Sequence, residues 1–278
     1  MNTIGACEDL RAEALALRIL VQDHSSVDGL EVTPFHRWRV RDTIGHLVVI
    51  DRLADLTLSD PAAFEAESAR FGEGTAGGVA DGLPDGVFQR IATYERSRLD
   101  LLNWAQLLAA WDAGLTALCE TASVLDGDEK VNWFGAEIRI RTLINARQME
   151  VWAYGQDVFD LYRTPRTETD RLRNVADFAV RTLGFSFANR GLAVPEVRPF
   201  VALSAPSGAV WTWNAAANGS RIEGRAADFC LVASQRRHVT DTGLKVSGDD
   251  AETWMRIAQC IAGPPLDGPE PGERQPPG

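Results

Sequence analysis

Residues 137–163, EIRIRTLINARQMEVWAYGQDVFDLYR, constrain this chain more than any other stretch. They run without proline, and Ile140, Leu143, Ile144, Val151, Val158 and Leu161 recur at spacings of three and four or their sum. That period predicts a long amphipathic helix. Within it Arg147, Glu150, Tyr154 and Asp157 follow at steps of three, four and three, so they share one stripe bordering the apolar face. A polar ladder beside a core is costly unless something satisfies it. A metal ion, a substrate anion or side chains of a neighbouring helix would each do so.

Three further helices are expected before it. Residues 7–24 carry Leu10, Ala14, Leu17 and Val21 at steps of four, three and four, and end near His24, where an imidazolium suits the helix dipole. After an extended segment at residues 33–38, helical spacing returns from Val40 to Leu58 and sets His46 mid-helix among Leu47, Val49 and Ile50. A histidine on an apolar face is most often a satisfied core residue, but Asp42, one turn earlier, could orient its ring as carboxylates do for metal-bound imidazoles. Residues 60–86 are rich in Gly and small side chains and read as a long interhelical connection, with the Gly-rich part at 70–86 a candidate lid. A third helix in two parts is expected from Phe88 to about Val124, and residues 131–135 as a short aromatic turn. Four long helices in residues 1–163 make a bundle whose interior can carry a site.

After a linker at Thr164-Pro165-Arg166-Thr167 the texture changes. Residues 169–189 read as a helix, 197–203 and 209–213 as strands joined at Pro206-Ser207-Gly208, and 220–224 as an edge strand. A helix at 225–236, a short strand at 244–246 and a helix at 251–262 follow. Helices segregated from a small antiparallel sheet give an α+β domain over residues 167–263, and residues 264–278 are expected to be a disordered tail. The fold class is thus α plus α+β.

A formal charge of −11 and a pI near 4.9 argue against nucleic acid or an anionic membrane as partner, since both reward clustered Lys and Arg. The N-terminus lacks the basic start of a signal peptide, and no apolar run approaches the roughly 20 residues that span a bilayer, so a cytoplasmic location is expected. Cys7, Cys119, Cys230 and Cys260 are isolated and read as small buried residues rather than a disulfide frame or zinc knuckle.

Trp38-x3-Asp42-x3-His46-Leu47 in the second helix, with Met149-Glu150-x-Trp152-Ala153-x-Gly155-Gln156-Asp157 in the fourth, resembles the DinB and maleylpyruvate isomerase superfamily. Gly224-Arg225-Ala226-Ala227-Asp228-Phe229-Cys230-Leu231-Val232, Gln235-Arg236-Arg237-His238 and Ala262-Gly263-Pro264-Pro265 are similar to a two-domain subgroup whose C-terminal half is sterol-carrier-like. The resemblance implies a four-helix bundle holding one divalent metal through a His of the second helix and a Glu and a His one turn apart in the fourth. It makes His46 and Glu150 the first two ligands, but the position of the second histidine is Tyr154. A phenol with a reference pKa near 10 must lose its proton to bind metal well, and tyrosinate suits Fe(III) better than Zn(II). Either a metal, zinc above all, is held by His46, Glu150 and Tyr154, or Tyr154 stays protonated and the metal site is weakened or vacated. His36 and His238 are candidate replacement ligands.

The resemblance also implies a low-molecular-weight thiol used for isomerisation or S-transfer onto a small electrophile. Tyr154 would then serve as third ligand or proton donor, and Arg147 and the pair Arg236-Arg237 as clamps for a carboxylate substrate. Their ordinary readings are Arg147 paired with Glu150 or Asp51, and Arg236-Arg237 as a solvated helix end. Without a metal, Tyr154, His46 and Glu150 could still perform acid-base chemistry. The rival reading is a non-catalytic protein with a vacated metal site that binds a small molecule, lipid-like or aromatic, in an apolar pocket at Phe200, Trp211, Trp213 and Phe229. A homodimer is a possible assembly for either.

Overall fold

The first apolar periodicity folds as helix α1 (Thr3–His24), which buries Leu10, Ala14, Leu17 and Val21. The computed structural model describes residues 3–24, 27–34, 37–72, 99–214, 219–261 and 263–274. His24 closes α1, its Nδ1 donating to the Leu20 carbonyl at 3.2 Å. Helix α2 (Val40–Ser59) begins beside Asp42, whose carboxylate accepts the Arg39 backbone N–H at 2.9 Å and its guanidinium at 2.7 Å. An acid in the first turn favours the helix dipole, which accounts for its position.

The open connection expected from residue 60 is corrected in its first part. Helix α3 (Pro61–Gly72) follows directly, with Asp60 Oδ1 accepting the Ala63 N–H at 3.0 Å and proline in the first turn. Residues 73–98 lie outside the described residues, and with them most of the candidate lid and the first part of the third helix. Its second part is α4 (Trp104–Ser123), started by a reciprocal cap between Asn103 and Gln106 at 2.9 and 3.0 Å.

The aromatic turn proves to be a hairpin, β1 (Lys130–Trp133) with β2 (Ala136–Arg139). Phe134 and Gly135 form its two-residue loop with φ of 50° and 87°, as a tight hairpin requires. The hairpin and α3 share one core: Phe64 stacks on Trp133 at 5.7 Å and meets Phe134 edge-on at 5.5 Å, above Val49, Ile50 and Leu53 of α2. Phe64→Ala should therefore lower stability by about 3–5 kcal/mol in urea unfolding; a loss below about 1 kcal/mol would mean that α3 does not pack on α2.

Helix α5 (Ile140–Leu161) follows the hairpin. α1 packs on α4 and α5, and α2 packs on the same two helices, which closes a four-helix ring. α5 is more enclosed than its amphipathic pattern implied: every residue from Ala146 to Phe159 is buried, Arg147, Gln148, Glu150 and Asp157 included. Among the described residues no helix is long and apolar enough to cross a membrane.

The chain divides into Met1–Leu161 and Tyr162–Gly278. In the second unit the helix expected over residues 169–189 is two, α6 (Leu172–Arg181) and α7 (Leu183–Ala188), parted at Thr182, whose hydroxyl donates to the Phe178 and Ala179 carbonyls at 3.1 and 3.0 Å. Strands β3 (Phe200–Ser204), β4 (Val210–Trp213), β5 (Arg221–Arg225) and β6 (Lys245–Ser247) form a sheet in the order β4-β3-β5-β6. β5, expected at an edge, lies inside and pairs parallel to β3, so the sheet is mixed rather than antiparallel. Gly224 has φ +155°, and a Cβ there would come 2.8 Å from Leu244 Cδ2. Helices α8 (Ala226–Ala233) and α9 (Asp249–Ile257) complete the unit, with Phe229 and Trp254 edge-to-face at 5.6 Å.

The tail is anchored rather than loose as far as it is described. Leu266 accepts from Gln235 Nε2 at 2.7 Å and from Arg190 Nη2 at 2.6 Å, and its N–H donates to Gln259 Oε1 at 3.0 Å. The four cysteines are buried, as expected of small core residues.

Candidate functional site

α2 and α5 face each other inside the bundle, and there His46 Nε2 lies 2.8 Å from Glu150 Oε2. The same carboxylate oxygen is 2.6 Å from Arg147 Nη1, one turn earlier on α5. Arg147 Nε donates to Asp51 Oδ1 at 2.9 Å, and Trp111 Nε1 on α4 donates to Asp51 Oδ2 at 3.2 Å. Three helices thus build one chain, Trp111 to Asp51 to Arg147 to Glu150 to His46. The side chains of Arg147 and Asp51 are wholly shielded from solvent.

Tyr154, one turn after Glu150, lies with its ring 4.8 Å from the His46 imidazole and edge-on to it. It also stacks on Trp38, nearly parallel at 5.4 Å. His46, Glu150, Tyr154 and Arg147 are therefore brought together, as their spacing on two helices implied.

The charges explain one another. Burial alone would push the Glu150 carboxyl up, but the Arg147 charge and the His46 hydrogen bond outweigh it and hold the group at about 2. Burial also opposes the Arg147 charge, yet Glu150 and Asp51 together raise its pKa above the usual guanidinium value. Asp51 is pushed up by burial despite Arg147 and Trp111. Since an ionised carboxylate only accepts, the His46–Glu150 bond requires a proton on Nε2. Trp111→Phe removes a buried donor from an acid and should cost about 1–3 kcal/mol in urea unfolding; an unchanged midpoint would mean Asp51 does not need that bond.

Several expected roles are corrected. Asp42 is held by Arg39 at the start of α2, and the carboxylate on the His46 ring is Glu150. Arg147 takes its ordinary alternative, pairing with both Asp51 and Glu150, which leaves no exposed guanidinium to clamp a substrate. Arg236 and Arg237, in the second unit, are buried rather than a solvated helix end; Arg237 Nη1 donates to the Arg236 carbonyl at 2.7 Å and Arg236 Nη1 to that of Ser234. His238 is engaged with Thr240 at 2.7 Å in that unit, and His36 lies outside the described residues.

Three of the four aromatics named in the rival reading have partners of their own. Phe229 is core against Trp254, Phe200 lies under the Arg221 guanidinium at 5.3 Å, and Trp213 Nε1 donates to Asp177 at 3.2 Å. A cavity of about 170 Å³ in this unit is lined by Gln235, Arg237, Met255 and their neighbours and by none of those aromatics.

Residues 10–159 match the model of the mycothiol maleylpyruvate isomerase N-terminal domain. The chain belongs to this family. Across 257 residues it is 33% identical to uncharacterised proteins of two Mycobacterium tuberculosis strains, covering 92% of this chain and 95% of each relative. Crystal structures of a mycothiol-dependent maleylpyruvate isomerase and of a mutant of it share the fold at a TM-score of 0.53 and 13% identity, over 89% of this chain and 93% of theirs. The helical N-terminal domain followed by an α+β domain fits the fold of those structures.

The divalent metal implied by the resemblance does not fit these residues. Glu150 Oε2 is in contact with a guanidinium. Among the described residues no three His, Cys, Asp or Glu side chains converge as metal ligands. Trp111 was not legible as part of the site, because a Trp within an apolar stripe reads as core.

Proposed function

We propose that this protein is a small-molecule isomerase or S-transferase that uses a low-molecular-weight thiol, with its acid-base centre at His46 in the bundle. The observation that carries the reading is the 2.8 Å contact between His46 Nε2 and an ionised Glu150. Glu150 is too weak a base to take a thiol proton itself. Its role is to fix the tautomer that leaves Nδ1 of His46 as the acceptor, as a carboxylate does in other histidine dyads. Arg147 and Asp51 hold Glu150 in place. Tyr154, packed between Trp38 and His46, is the candidate proton donor.

When bound, a thiol would supply a sulfur nucleophile for an electron-poor double bond; addition, rotation about the resulting single bond and loss of the thiol complete a cis-trans isomerisation. Mycothiol and maleylpyruvate, named for the structural relatives, are the first thiol and electrophile to try. Arg236 and Arg237 have no part in this proposal.

Thiol activation can be read before any substrate is known. Mixing the protein with mycothiol at neutral pH should raise the ultraviolet absorbance of thiolate above that of free thiol, and His46→Ala should abolish the increment. An increment equal in the two proteins, or none in either, would overturn the assignment.

A further inference from the structure

The family resemblance leaves two physical explanations for a bundle site that does not fit a metal. Either the third ligand is missing, because Tyr154 stands where a histidine is expected, or the remaining ligands are occupied. We propose the second: the Arg147 guanidinium is a built-in cation that occupies Glu150 and keeps divalent metals out of the His46–Glu150 pair. This inference does not depend on the thiol chemistry above, since a protein that binds no thiol would still exclude metal in this way.

Three observations carry it. Arg147 Nη1 and His46 Nε2 converge on one oxygen, Glu150 Oε2, at 2.6 and 2.8 Å, so the carboxylate atom that faces the imidazole is already engaged twice. Arg147 is not free to swing away: its side chain is wholly buried, and its Nε is bonded to Asp51, which is in turn held by Trp111. A dication placed at bonding distance from Glu150 would therefore sit beside a fixed positive charge in a dry interior, where like-charge repulsion is poorly screened. Tyr154, by contrast, only adjoins the pair, with its ring 4.8 Å from that of His46. A missing donor at that position is easily supplied by substitution, and the neighbouring cation would remain.

The two explanations part in a zinc competition titration against a chromophoric chelator. Tyr154→His alone restores the donor and keeps the cation; on this account it stays as zinc-poor as the parent. Arg147→Met combined with Tyr154→His should bind about one zinc, on the order of 10²–10³-fold more tightly than Tyr154→His alone, the factor that corresponds to removing a buried like charge from beside the dication. Arg147→Lys with Tyr154→His keeps the charge and should stay zinc-poor. Stoichiometric zinc in the parent, in Tyr154→His or in the lysine variant would overturn the proposal, as would a folded Met variant that binds none. Should the Met variant fail to fold, Arg147→Gln with Tyr154→His, which removes the charge but keeps a polar side chain, takes its place under the same criteria.

Discussion

Arg147→Met is expected to cost about 3–5 kcal/mol of unfolding free energy, because it strips the counter-charge from two buried carboxylates at once. Asp51 and Glu150 would face each other's charge across a shape-matched but apolar side chain, and protonation is the cheapest relief. The deficit should therefore shrink as pH falls toward the range where the variant's carboxyls protonate. The parent behaves differently. Glu150 has a folded value of about 2 against an ordinary 4.5, so the stability it contributes is full above pH 4.5 and is lost as pH falls toward 2. Asp51, pushed up by burial, works in the opposite direction: its contribution favours acid and fades as pH rises through its folded value. Urea unfolding of both proteins between pH 4 and 8 measures the difference. A deficit below about 1 kcal/mol, flat across that range, would show that water reaches the pair and that the guanidinium is not holding the site together.

The second large effect concerns rate. His46→Ala should lower thiol-dependent turnover by on the order of 10²–10⁴-fold, the usual worth of a general base, while the four-helix packing keeps the variant folded. Glu150→Gln should lower kcat over a similar span with little change in the thiol KM, because an amide can present either a donor or an acceptor to Nε2 and no longer dictates the tautomer. The reverse pattern, a raised KM with kcat kept, would make Glu150 a binding group rather than one that positions the imidazole.

Much of this was legible from residue spacing, and the exceptions have physical causes. The stripe Arg147, Glu150, Tyr154 announced a polar ladder that needed satisfying, and Asp51 was readable as a partner of Arg147 from the second helix. What spacing does not reveal is which donor reaches which acceptor. Asp42 lies one turn from His46 and was the natural candidate for its ring, yet a helix N-terminus with Arg39 beside it is a better place for that charge. α3 was hidden by the glycines that follow it, although Asp60 and Pro61 are an ordinary helix start. The hairpin at Phe134-Gly135 was hidden by its brevity. In the second unit the run of strands was visible, but the parallel pairing of β5 with β3 is a long-range choice that no local pattern encodes.

The central claim is that Glu150 fixes the proton of His46 on Nε2. Nitrogen-15 spectra of the histidine rings test it most directly, with the His46 signals identified by their loss in His46→Ala. The account predicts a proton on Nε2 of His46, and in Glu150→Gln a loss of that preference. A proton on Nδ1 in the parent, or a metal-ligated Nε2 in protein prepared with zinc, would contradict it.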